Sequence, residues 1–189
     1  MHTQDFSTNS SLFILAIKSS KGTIINCTVS LQNGDGSIRS NVKLGRQVTS
    51  SAITSCNYLI LNSSDLDIDK TLLLRNDVHI NFDMLNENII NDGPSAGLAI
   101  FLSLYTQLKS IKLKQFLAVT GEISLSGKIL SVSNIEEKLK AAEQQKITTV
   151  IIPGTNFQEI KNSTHLFKNI HIIAVNNISD LLAKMHLIS

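Results

Sequence analysis

Ser95 and Lys138 are the two side chains whose types and settings in this sequence point to chemistry. Ser95 lies in the run Asn91-Asp92-Gly93-Pro94-Ser95-Ala96-Gly97, between an alternating segment at 77–82 and an apolar helical run at 98–108. Pro94 suits the first turn of a helix, where its missing N–H costs nothing. Asp92 and Gly93 before it are turn and cap residues. Ser95 is thereby presented at a loop-to-helix junction, where free main-chain N–H groups gather and negative charge is favoured. A nucleophile there has oxyanion donors beside it, in the backbone around Pro94, Ser95 and Ala96. Ala96 and Gly97 are small enough to admit another backbone. Taken alone, the stretch reads equally well as a Gly-Pro helix start with an incidental serine.

The lysine stands on a second predicted helix. Ile135, Leu139 and Ala142 recur at helical spacing and form one buried stripe, and Lys138 falls on the same side. Such a lysine either snorkels to the rim or turns inward. Glu136, Glu137 and Lys140 lie elsewhere around the helix as surface charges. An inward, desolvated lysine loses its proton more easily than a free one. The neutral amine can then accept a serine's hydroxyl proton, which is the Ser-Lys form of nucleophile and base. Thr120, in Thr120-Gly121-Glu122, is placed to orient that amine by donating to its lone pair; the same residues also read as a plain strand end.

These residues need a scaffold, and the hydrophobic pattern outlines one. Residues 1–11 are polar and aperiodic, a flexible terminus. The 12–18 run reads as a buried strand. After a turn comes a second strand at 23–31, with Ile25, Cys27, Val29 and Leu31 on one face. Residues 32–37 read as a hairpin loop leading to a partner strand in which Ile38, Ser40, Val42 and Leu44 alternate with polar residues. Val48, Ala52, Cys56 and Leu59 then mark one face of a helix over 46–61. A short helix and loop fill 63–76, a strand spans 77–82, and a polar connection over 83–90 reaches the serine. After the serine helix come a strand at 116–123 and a tight return through 125–130. The lysine helix follows over 135–145, with Asn134 and Glu137 as a capping box. A strand at 149–152, a short helix near 157–161, a strand at 170–175 and a helix at 178–185 complete the chain. The pattern predicts one α+β domain over 12–189, a β-meander followed by alternating helices and strands.

Composition narrows the partners. The formal charge of +2 is too small for nucleic acid to be the main ligand, and Lys109, Lys112 and Lys114 form the only basic cluster, read as a solvated loop. No apolar run approaches a transmembrane length. Cys27 and Cys56 lack metal-site spacing, and no signal peptide precedes them, so no metal, no cofactor and an intracellular, reducing setting are expected.

The ordered set Asp92-Gly93-Pro94-Ser95-Ala96-Gly97, Thr120-Gly121-Glu122, Gly127-Lys128-Ile129-Leu130, Glu137-Lys138-Leu139-Lys140-Ala141-Ala142 and Thr149-Val150-Ile151-Ile152-Pro153 resembles the proteolytic domain of Lon-type proteases. The resemblance is tight over 92–153 and elsewhere rests on the order of elements. It implies the Lon proteolytic-domain fold (ribosomal protein S5 domain 2-like) and a serine endopeptidase acting on unfolded or extended polypeptides through an acyl-enzyme. Ser95 would be the nucleophile, Lys138 the general base, Thr120 the hydroxyl that positions the lysine, and Asp92 a residue at the mouth of the site. A self-processing protease of polyprotein type and a non-catalytic assembly or binding module are the alternatives. The implied partners are polypeptide substrates, an ATPase module in the full-length protein or in trans, and a homo-oligomer. No phosphate-binding Gly-x-x-x-x-Gly-Lys-Ser/Thr loop occurs in this chain. Two stretches depart from the family. Asn86-Glu87-Asn88-Ile89-Ile90-Asn91 replaces a Glu-Gly-Ala/Pro-rich approach to the serine, and Ser133-Asn134-Ile135-Glu136 replaces Gly-Gly-Leu-Lys before the lysine.

Overall fold

The computed structural model describes residues 10–83 and 93–189. The polar terminus before Ser10, the approach segment 86–91 and Asp92 lie outside the described residues. Apolar alternation builds the first two strands, β1 (Ser10–Lys18) and β2 (Lys21–Asn33), which pair antiparallel with Leu12 opposite Cys27 and Ile14 opposite Ile25. Ile25, Cys27, Val29 and Leu31 are buried on one face of β2, as the pattern predicts.

The next strand corrects the expected hairpin. β3 (Ile38–Ser40) does not return along β2; it pairs parallel with β4 (Asn76–Asp83), and β4 takes the place beside β2. Burial explains the exchange, because Val78, Ile80 and Phe82 of β4 are all buried whereas β3 is half polar and suits an edge. Asp77 fixes the loop that leads to β3. Its carboxylate accepts the N–H groups of Asp35 (3.0 Å) and Ser37 (3.1 Å) and pairs with Arg39. Those bonds hold the Asp77 carboxyl down at about 2. Between β3 and β4 lie α1 (Arg46–Leu61), with Val48, Ala52, Cys56 and Leu59 buried as expected, and the short α2 (Thr71–Leu74).

After the described segment resumes at Gly93, a 3-10 turn (Pro94–Ala96) opens α3 (Gly97–Leu108). The single strand expected over 116–123 is broken. β5 (Leu117–Val119) ends at Thr120, and Gly121 turns its N–H to the Ser95 carbonyl (3.0 Å) while its own carbonyl accepts from Leu98 (3.0 Å). The chain leaves the sheet there to bind the serine turn, and β6 (Glu122–Ile123) pairs instead with β7 (Ile129–Leu130) in a separate hairpin. Then follow α4 (Ile135–Gln144), β8 (Thr149–Pro153), α5 (Gly154–Ile160), β9 (His171–Val175) and α6 (Ile178–Ala183).

The main sheet runs β3-β4-β2-β1-β5-β8-β9, and its β1-β5-β8-β9 half is parallel, which gives a mixed α/β architecture. Strand β8 is buried on both faces: Ile151 joins one core with α1 and α3, while Val150 and Ile152 join another with α4 and α5. The serine helix α3 and the lysine helix α4 therefore cover opposite faces of one sheet.

The expected capping box does not form. Asn134 precedes α4 in the left-handed region (φ 56°) without a side-chain cap, and Glu137 pairs with Lys140 (2.6 Å) instead of reaching back. Asparagine tolerates that conformation better than other side-chain-bearing residues. Asn134→Ala is expected to lower stability by about 1 kcal/mol, and Asn134→Gly to preserve it, as read by thermal unfolding.

Candidate active site

Ser95 sits half-buried in the turn that opens α3. The turn is held from two sides. Gly121 donates to the Ser95 carbonyl (3.0 Å), and the Pro94 carbonyl accepts from the Gly97 N–H and from Ser51 Oγ (3.4 Å). On the α1 side, Ser55 Oγ reaches the Gly97 carbonyl (3.0 Å), and a Cβ on Gly97 would stand 3.3 Å from Ser51 Cβ and from the Ile123 nitrogen. The main-chain N–H groups of Ser95 and Ala96 belong to the first turn, which has no earlier carbonyl to bind them. Pro94 has no N–H, so it shapes the turn and contributes no oxyanion donor, contrary to the sequence reading.

Lys138 is turned inward, with 2% of its surface exposed. Its Nζ lies 3.1 Å from Thr120 Oγ1, and no carboxylate among the described residues pairs with it. Burial without a counter-charge pulls the amine down to about 8 from an ordinary 10.5. Thr120 is fully buried, and its hydroxyl donates to the Leu15 carbonyl (3.3 Å). A hydroxyl has one proton, so Thr120 accepts from the lysine and does not donate to it. That reverses the expected polarity, and it leaves the lone pair of the neutral amine free to face elsewhere.

What it faces is a cleft lined by Ala16, Ile17, Gly93, Pro94, Ser95, Lys138 and the segment 131–133. The cleft opens where β1 and β5 end, at the carboxyl ends of parallel strands, the usual place for a site in such sheets. Two helices from opposite faces of the sheet thus meet at one rim. Gly22 sets how closely: a Cβ there would fall 1.9 Å from the Glu137 carbonyl oxygen, one residue before Lys138. The sequence reading missed Gly22, which it took as a turn residue, and also Ser51, Ser55 and Asn156. Asn156 grips the backbone of Val132 in the cleft wall (2.8 and 2.9 Å). Its position just after Pro153-Gly154 was the only available signal.

Among the described residues no cluster of His, Cys, Asp and Glu could hold a metal, and no helix is long and apolar enough to cross a membrane. Lys109 pairs with Asp67 (2.8 Å) and Lys114 caps the Leu187 carbonyl (2.9 Å), so two members of the basic cluster have structural partners.

A family model described as the Lon protease (S16) C-terminal proteolytic domain matches residues 7–188. The chain is 33% identical to the Lon protease of Aster yellows witches'-broom phytoplasma over 88% of its own length and 21% of the relative's. Against the Lon protease of Neorickettsia sennetsu the identity is 32%, covering 89% of this chain and 20% of that protein. Lon protease 1 of Myxococcus xanthus is 31% identical over 85% of this chain and 20% of its own length. The chain thus spans about a fifth of the length of the curated relatives it matches.

Proposed function

The chain belongs to the family of Lon protease (S16) C-terminal proteolytic domains, and we propose that it is a serine endopeptidase in which Ser95 is the nucleophile and Lys138 the general base. The observation that carries this reading is the buried Lys138 amine, unpaired with any described carboxylate and held near 8, in the same cleft as a serine at a helix start. Lys138 takes the Ser95 hydroxyl proton as Oγ attacks the scissile carbonyl carbon. The N–H groups of Ser95 and Ala96 receive the oxyanion. The lysine then returns its proton to the leaving amine, which departs and leaves an acyl-Ser95. A water, deprotonated by the same amine, hydrolyses that ester and restores the site. Thr120 orients the base, and Asp92 is assigned to the mouth by the family resemblance.

The substrates proposed are unfolded or extended polypeptides. β1 pairs with β5 only at Phe13 and Ile14, so among the described residues no strand pairs with its end at Ala16 and Ile17 on the cleft side. The overall fold is read as that of ribosomal protein S5 domain 2-like domains. An ATPase module, in the full-length protein or in trans, and a homo-oligomer are the proposed partners, and the setting is intracellular. The non-catalytic reading leaves the buried, deprotonatable lysine without a specific role; a self-processing protease would use the same dyad and is told apart by its failure to cleave casein added in trans.

Cleavage of casein or a fluorogenic peptide across a pH series tests the mechanism. Activity is expected to rise as pH passes about 8, because only the neutral amine can accept the serine proton. The same shift makes folding more favourable as pH rises from about 8 toward 10.5, where the unfolded lysine still holds a proton that the folded one has lost. In Thr120→Val the ammonium form loses an acceptor, so the midpoint moves to lower pH while turnover falls by about tenfold. A flat profile through this range would sink the role of Lys138.

A further inference from the structure

Resting on the peptidase reading above, we infer that Asn156 is a positioning residue that holds the segment 131–133 as a main-chain edge for extended polypeptide. Asn156 is fully buried on α5. Its Oδ1 accepts the Val132 N–H (2.8 Å), and its Nδ2 donates to the Val132 carbonyl (2.9 Å) and to Glu159 Oε2 (3.0 Å). One side-chain amide thus does for Val132 what the opposing residue of an antiparallel strand does, exchanging both a donor and an acceptor.

Both main-chain groups of Val132 are committed to Asn156, which leaves Ser131 and Ser133 on either side of it as the residues of this segment whose main-chain groups can serve another chain. Residues 131–133 line the cleft that holds Ser95 and Lys138, and among the described residues neither serine has a main-chain hydrogen bond. A carbonyl at Ser131 and an N–H at Ser133 are therefore available to a strand laid along the cleft, opposite Ala16 and Ile17. The recognised chemistry is the peptide main chain, so affinity through this edge is indifferent to side-chain sequence. Asn156 touches no reacting atom; it acts through Val132.

The test separates binding from chemistry. A fluorescein-labelled casein peptide is titrated by anisotropy into Ser95→Ala protein with and without Asn156→Ala. The second substitution is expected to weaken binding by about tenfold, as for loss of one or two main-chain hydrogen bonds. In protein that keeps Ser95, Asn156→Ala should leave the rate of labelling by a small fluorophosphonate, and its pH midpoint, unchanged, because that probe has no peptide backbone. Equal peptide affinity would overturn the inference. So would a labelling rate that falls together with affinity, which would make Asn156 a general structural residue. Should Asn156→Ala fail to fold, N-methylation of the casein peptide, one amide at a time, is read against Ser95→Ala alone. Binding should weaken at alternate positions and not at their neighbours, and uniform tolerance would overturn the assignment. The binding arm needs no turnover, so wild-type protein that fails to cleave casein counts against the peptidase reading and not against this edge.

Discussion

Lys138→Arg is expected to lower peptide cleavage by about four orders of magnitude, the scale seen when a base that works as a unit with its nucleophile is removed. Guanidinium stays protonated at any usable pH and cannot accept the serine proton. It would also place a permanent charge in a site where no described carboxylate stands opposite. A loss of folding could therefore imitate a loss of chemistry, and Lys138→Met separates the two. Methionine fills nearly the same volume without a charge to desolvate, so thermal stability should be kept or raised while cleavage is lost to the same degree. Cleavage retained by a folded Lys138→Met protein would remove lysine from the mechanism.

Gly22→Ala is the second large effect, and it acts from outside the cleft. The added Cβ would overlap the Glu137 carbonyl oxygen at 1.9 Å and its carbon at 2.6 Å, and main-chain atoms cannot swing aside as a side-chain tip can. α4 must move off β2 and carry Lys138 with it. The expected cost is about 1–3 kcal/mol of stability, typical of overpacking. Cleavage should fall by about a hundredfold, as expected for a base displaced by about 1 Å. Thermal unfolding and peptide cleavage measure the two. Ala141→Gly relieves only the side-chain contact, at 2.9 Å, and should not rescue Gly22→Ala. A double variant restored to full activity would show that the backbone approach is not what matters.

The parts of this molecule that local pattern controls were readable in its sequence. The α1 face of Val48, Ala52, Cys56 and Leu59 and the β2 face from Ile25 to Leu31 follow from burial period alone. Pro94 placed the start of the serine helix, and the stripe of Ile135, Leu139 and Ala142 put Lys138 on an inward side, although spacing could not decide whether its amine would snorkel. Features set by contacts distant in sequence were not readable. The 38–44 alternation looks like a hairpin partner for β2 until the more apolar β4 competes for the same edge. The apolar run through Phe116 gives no warning that Gly121 will leave the sheet to bind Ser95. Asn134 and Glu137 have the spacing of a capping box, yet the left-handed backbone at Asn134 prevents it. The polarity of the Thr120 bond depends on the Leu15 carbonyl, and the role of Asn156 on Val132, so neither is encoded in a local motif.

The most direct test of the central claim is covalent labelling by a fluorophosphonate at a series of pH values, with mass-spectrometric mapping of the modified residue. Modification is expected at Ser95, at a rate that climbs as pH passes about 8 and is lost in Lys138→Met. Modification at another side chain, or labelling of Ser95 that proceeds as fast in Lys138→Met as in the wild type, would contradict that claim.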